Sequence, residues 1–333
     1  MDRRSFLKSA AITASAAVPF TAFIARAQAQ DHKGGVRRGH TAGYGPLFPT
    51  LDRTTGLPLI ALPEGFRYVT FGWTGDPLDG GGLTPGVHDG MAAFAAGKGR
   101  VRLIRNHERG PGTAFSSAAY NPAAGGGTVT MEFDTHTGDV ITMRDSLSGT
   151  IRNCAGGPTP WGTWLTCEET TLFHAGMPHG YVFEVPVEGF GDPTPLKTMG
   201  RFSHEAVAVD PATGYVYETE DAGDCGFYRF VPATPGRLSD GGELFALKVK
   251  NINVANLGAN LANGSTYDVE WVPIATPDAP GAIAGNFVWQ QGRTLGAARF
   301  ARLEGCWYGN DAKIYIVSTN GGIGQGQIWE YDP

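Results

Sequence analysis

Acidic side chains, one thiol and one guanidinium recur at a common end of four short hairpins. In Val207-Ala208-Val209, the turn Asp210 to Gly214 and Tyr215-Val216-Tyr217, pairing that sets 209 opposite 215 also sets 205 opposite 219. Glu205 then shares a strand end with Glu220 and Asp221. The segments Met91 to Phe94 and Val101 to Ile104, joined at Gly97-Lys98-Gly99, bring Asp89 near His107 and Glu108. Cys154 pairs toward Leu165-Thr166 across the Gly156 to Gly162 turn, which leaves Glu168 and Glu169 just past the same end. A fourth hairpin sets Glu304 opposite Ser318, with Arg302 just outside and Asn320 close by. Carboxylates gathered within a few ångströms cannot all stay ionised without cations, because each raises the pKa of its neighbours. On one hairpin such acids would read as solvated strand ends; their coincidence on four points to metal. Oxygen donors suit calcium, and a thiolate among carboxylates suits iron.

The elements that must position these groups are β hairpins. Short strands opened by Gly127, Gly180, Gly226 and Gly326 recur at steps of about 50 residues, the last interval spanning two steps, which is a blade-like repeat. Long helical periodicity is absent, while turns such as Phe133 to Asp139 and Val209 to Tyr215 alternate with strand patterns. An all-β fold follows, best read as a six-bladed β-propeller, with a pair of β-sandwiches as the alternative. In a propeller the equivalent ends of successive blades converge at the channel mouth. The expected organisation is an N-terminal signal over 1–29, a loose lead-in over 30–62 and the propeller over 63–333.

The composition fits a sizeable core, in one large β domain or two ordinary ones. Of 333 residues 49 are glycine and only 17% are charged, while 41% are hydrophobic, which excludes disorder and coiled coil. The formal charge is −6, and the part past residue 29 is more acidic still, so a nucleic-acid partner is not expected. Arg3-Arg4-Ser5-Phe6-Leu7-Lys8, a mildly apolar run and Ala27-Gln28-Ala29 resemble a twin-arginine export signal. The run is too weakly apolar for a stable membrane anchor. The twin-arginine export machinery is therefore an expected partner, and a periplasmic or secreted location and a monomeric state are expected. Four cysteines, Cys154, Cys167, Cys225 and Cys306, are too few and too scattered for a disulfide framework, and no zinc spacing occurs. His107 and His204 flank acids of the set and read as hydrogen-bonding supports rather than ligands. Trp161 and Trp164 fall in the Pro/Gly-rich turn, where packing and pocket lining are both open.

Three segments carry a family resemblance: Asn106-His107-Glu108, the run NCAGGPTPWGTWLTCEE from Asn153 to Glu169, and GRFSHEAVAVDP from Gly200 to Pro211. Through them the chain resembles the PhoX-type alkaline phosphatases of bacteria from about His88 onward. The resemblance implies a six-bladed propeller holding ferric iron and calcium, hydrolysing phosphate esters by attack of a metal-bound oxide or hydroxide on phosphorus. Carried over by motif, Cys154 is the iron-binding thiolate, Glu168, Glu169, Glu205 and Glu304 are carboxylate ligands, and Arg302 is a phosphate clamp. Glu108 and Asp89 join the metal set by position. The family usually reads Arg-Pro-Glu where this chain has Arg302-Leu303-Glu304, which keeps both functional side chains. Family members carry further strands past the equivalent of 326–333, so the expected ring is incomplete at the C-terminus.

Two other functions remain open on the residues alone. A calcium-dependent lactonase-type propeller would use carboxylates and Asn without a thiolate, so Cys154 discriminates. A non-catalytic binding propeller is separated from both by assay of a phosphomonoester. Neither a Gly-x-Ser-x-Gly elbow nor a Walker loop occurs, so the nucleophile is expected to come from water.

Overall fold

The computed structural model describes residues 44–281 and 285–333. The expected export signal over 1–29 lies outside them. Among the described residues no helix is long and apolar enough to cross a membrane.

The chain divides into two compact units between Phe71 and Gly72. In the first, β1 (Leu47–Leu51) pairs with β2 (Pro58–Pro63) in an antiparallel hairpin. Asp52 organises its turn, accepting hydrogen bonds from the backbone N–H and hydroxyl of both Thr55 and Thr70. From Leu47 on, the expected loose lead-in is thus paired strand.

The second unit contains four antiparallel meanders. They are β3 (His88–Ala95), β4 (Arg100–His107), β5 (Gly126–Asp134) and β6 (Val140–Thr150); then β7 (Asn153–Pro158) and β8 (Thr163–Glu168), which are joined, after the two-residue strands β9 (Phe173–His174) and β10 (Met177–Pro178), by β11 (Val182–Pro186). The third meander runs from β12 (His204–Val209) through β13 (Val216–Glu220), β14 (Phe227–Pro232) and β15 (Gly242–Val249) to β16 (Val269–Pro273). Helix α1 (Phe287–Thr294) precedes the fourth, made of β17 (Leu303–Tyr308), β18 (Ile314–Ser318) and β19 (Gln327–Tyr331).

The predicted Asp-Gly turns form as their residue types require. The carboxylates of Asp134 and Asp210 accept hydrogen bonds from the backbone N–H groups two residues on, His136 and Ala212. Gly138 and Gly214 close these turns at φ of 82° and 73°, values that favour glycine.

The sheets pack face to face in series. Ile104 and Leu147 of the first meander meet Trp164, Phe183 and Val185 of the second. Leu165 and Val182 of the second meet Val207, Val209, Val216 and Phe230 of the third. On the other face of β12, Ala206 and Ala208 join Phe227, Leu303, Cys306 and Ile316 of the third and fourth. A sheet covered on both faces needs apolar residues in both alternating sets, which is why β12 is buried along its whole length. The pairwise stacking of two separate sandwiches would leave no such shared core between the second and third sheets. Between sheets the first strands are in the most extensive contact: β7 packs against β3 and β12, and β12 packs against β17.

Candidate metal centre

The four first strands start in the same way. In each, the first residue is paired with its partner strand: His88 with His107, Asn153 with Glu168, His204 with Glu220 and Leu303 with Ser318. Pairing then lapses for two residues and resumes at Met91, Gly156, Val207 and Cys306 against Arg105, Thr166, Glu218 and Ile316. Two residues therefore oppose one, the count of a β-bulge, a device that re-aims a side chain. The first bulged residue is Asp89, Cys154, Glu205 or Glu304. The expected register is corrected at two places: Val209 faces Val216 rather than Tyr215, because Asp210 and Tyr215 belong to the turn, and Glu304 lies in the bulge rather than opposite Ser318.

A second set of side chains follows from the same construction. The backbone N–H groups of Glu108, Glu169, Asp221 and Thr319 donate to the carbonyls of Val87, Arg152, Ser203 and Arg302, at 2.8 to 3.0 Å. Each hairpin mouth thus presents a pair: Asp89 with Glu108, Cys154 with Glu169, Glu205 with Asp221, and Glu304 with Thr319. The ligand atoms of Cys154, Glu169 and Glu205 lie within 4.8 Å of one another, and so do those of Glu205, Asp221 and Glu304. Glu205 is the shared corner of both groups. Asp89 and Glu108 stand beside them and in neither.

Two arginines lie over the acids. Arg302 Nε and Nη2 donate to Asp221 Oδ1 and Oδ2 at 2.9 and 2.8 Å, and Nη2 is 3.0 Å from Glu304 Oε1. Arg152, which the sequence reading did not single out, donates from Nη2 to Glu169 at 2.6 Å and from Nε to Glu108 at 3.2 Å. A signal for it existed: Arg152-Asn153-Cys154 and Arg302-Leu303-Glu304 share the spacing of arginine, strand start and ligand-type residue.

The electrostatics are those of crowded, partly buried acids. Burial, followed by the charges of Asp221 and Glu108, pushes the Glu169 carboxyl up to about 7 in spite of Arg152. Burial also raises Glu205 to about 8, with Glu304, Glu169 and Asp221 adding to it and the hydrogen bond from Cys154 opposing it. Asp89 is raised by burial as well. The Cys154 thiol is pushed far up by burial and by Glu205, to which it donates a hydrogen bond at 3.1 Å. Negative charge is thus costly at this place unless a cation offsets it. A donor set of one sulfur and several carboxylate oxygens is of a kind that can hold metal cations, which would supply the missing positive charge.

Glu168, expected in the metal set, points elsewhere. It is fully buried. Its Oε1 accepts from Ile151 N–H and His179 Nδ1, and its Oε2 from Gly180 N–H and Tyr181 N–H. Glu220 is likewise taken up by Gly226 N–H and the Tyr228 hydroxyl. His107 and His204 bond to the carbonyls of Gly86 and Gly200, and burial pulls both down to about 3, so they are neutral. Trp164 is buried and donates to Asn106 Oδ1, which makes it part of the scaffold beneath Cys154.

No curated protein matches the chain. Among solved structures, Pseudomonas fluorescens PhoX in complex with vanadate, a transition state analogue, is similar at a TM-score of 0.51 and 17% identity. The match covers 73% of this chain and 63% of that one, and at this identity it is a likeness of fold. The family model described as alkaline phosphatase PhoX matches residues 42–135 and 120–333, a range that takes in all four bulged strands and both arginines. By that match the chain belongs to the alkaline phosphatase PhoX family.

Proposed function

We propose that this chain is an exported, metal-dependent phosphatase that hydrolyses phosphate esters at the common mouth of its four bulged hairpins. The observation that carries the reading is Glu205, shared between one cradle with a thiol, Cys154 and Glu169, and one of oxygens, Asp221 and Glu304. Cys154, Glu169 and Glu205 would hold ferric iron; Glu205, Asp221 and Glu304 would hold calcium, with Asp89 and Glu108 as further oxygen donors. Ions held there would supply positive charge to the non-bridging oxygens of a phosphoryl group and would lower the pKa of water. Glu168 anchors the chain around the site instead of ligating.

The protein's own side chains bind and orient the substrate. Arg302 keeps about half its side chain exposed while Asp221 beneath it is largely covered, which leaves the part of the guanidinium not bound to Asp221 and Glu304 to meet a phosphate from solvent. Its planar fork suits bidentate pairing with phosphate oxygens. Glu205 is buried and Glu169 largely covered at the underside of the site. The sheets are read as blades of a six-bladed propeller, in a monomer exported by the twin-arginine route to the periplasm or beyond. A thiol in the cradle favours this reading over a lactonase-type calcium site. No nucleic acid is expected as a partner.

The test is elemental analysis of protein purified from a twin-arginine-competent host, with assay of a chromogenic phosphomonoester in calcium. Iron, calcium and turnover that drops in Arg302→Lys are expected. Metal-free protein with no phosphatase activity, after calcium and iron are offered, overturns the reading in favour of a binding propeller.

A further inference from the structure

We propose that Arg152 is a second anion-binding arginine of this site, receiving the second phosphoryl group of a diphosphate while Arg302 holds the first. The inference rests on the phosphatase reading and extends it to a substrate class.

Arg152 and Arg302 occupy one position in the fold. Each immediately precedes the first strand of a meander, at φ of 55° and 47°. A left-handed backbone is unfavourable for a long side chain and persists only where its surroundings hold it. In both, the carbonyl accepts from the residue just past the partner strand, Glu169 N–H or Thr319 N–H, at 2.9 Å. The two remaining equivalents are Val87 and Ser203, so guanidinium occurs on alternate sheets, on either side of the one that supplies Glu205.

The two side chains are also engaged alike. Both use Nε and Nη2 on carboxylates, and neither has a hydrogen bond from Nη1 among the described residues. Arg152 is 45% exposed and Arg302 49%, above carboxylates that are 13% exposed at Glu169 and 10% at Asp221. Each therefore has its inner edge on the acids and its outer edge toward solvent.

The arginines serve different cradles. Arg152 is bound to Glu169, which belongs with Cys154 and Glu205; Arg302 is bound to Asp221 and Glu304, which belong with Glu205 in the other group. Glu205 belongs with Glu169 in one group and with Asp221 in the other, so a single run of acids lies between the two guanidinium groups. Two cationic forks over two adjoining cradles match a ligand with two adjacent anionic centres better than one with a single phosphate.

The test uses the metal-loaded protein, with metal content measured for every variant. Calorimetry in excess calcium gives affinities for inorganic phosphate and for methylenediphosphonate, which cannot be hydrolysed. Arg152→Gln should weaken methylenediphosphonate binding about tenfold and phosphate binding less than about threefold, with partial rescue in Arg152→Lys. Arg302→Gln should weaken both ligands. Equal weakening of both ligands by Arg152→Gln, no weakening, or loss of metal from both Arg152 variants overturns the assignment and leaves Arg152 a support of the acids. A wild type that binds phosphate but not methylenediphosphonate overturns the assignment alone. A wild type that binds neither overturns the phosphatase reading and this assignment together.

Discussion

The side-chain amide of Asn106 donates to the carbonyl of Cys154 at 2.9 Å and to that of Ala155 at 2.8 Å, fixing the bulge of β7 from the neighbouring sheet. Its Oδ1 accepts from Trp164 Nε1 and the Thr166 hydroxyl, both at 2.9 Å, so all its hydrogen-bonding groups are used within a fully buried site. Thr219 performs a related task one sheet pair further on, where its hydroxyl meets the carbonyl of Glu304 at 2.6 Å. Asn106 and Thr219 are each the single residue opposed to a bulge. The ligand-type side chains are thus aimed by contacts between sheets as well as within hairpins.

Asn106→Ala leaves two carbonyls and two donors short of partners in the core, at about 1–3 kcal/mol for each group left unsatisfied. A fall of several degrees in Tm and a loss of iron are expected. Asn106→Asp keeps the acceptor for Trp164 and Thr166 and loses the donors to Cys154 and Ala155. Calorimetric melts with elemental analysis of both variants check this, and full iron content in Asn106→Asp would remove the positioning role.

Glu168→Gln should cost stability rather than metal. Four donors converge on the carboxylate, and an amide must turn a donor toward some of them. The expected loss is about 1–3 kcal/mol, with metal content per folded molecule unchanged. Measured iron or calcium falling while Tm holds would return Glu168 to the ligand set.

The metal-free protein should lose stability as pH rises. Glu169 and Glu205 titrate near 7 and 8 in the folded chain against 4.5 as the ordinary value, so the folded state binds more protons than the unfolded one across that window. Their contribution is complete below about 4.5 and is lost through about 8. Cations need the carboxylates ionised, so the metal-loaded protein should lack this decline. Melts of both forms at about pH 5 and about pH 8 test the sign; a metal-free Tm that climbs over this range contradicts it.

Calcium removal should lower activity and Tm together, because ions that bind only the folded state stabilise it by mass action. Added calcium should restore both while iron stays in place. Cys154→Ser should in addition bleach the sulfur-to-iron charge-transfer colour expected of the native protein. If neither quantity moves once calcium is shown to be gone, or if active wild type is colourless and iron-free, the metal assignment fails.

Residue types and local spacing determined much of this in advance. Turn residues such as Asp210 and Gly214 set the hairpins, alternating apolar residues set the strands, and the recurrence of acids at strand ends marked the mouth. These are local properties, governed by backbone sterics and by which side chains can be buried. The bulges were not legible, because a two-against-one count depends on what the opposite strand and the next sheet offer: Asn106 to Cys154, Thr219 to Glu304. One residue of register decides which acid enters the cluster, so Asp221 joins Glu205 while Glu220 turns to Tyr228. Glu168 and Glu169 are adjacent in sequence and alike in chemistry. Only the fold separates them, since successive residues at a strand end face opposite ways, placing Glu168 among four buried donors and Glu169 under Arg152 at the mouth.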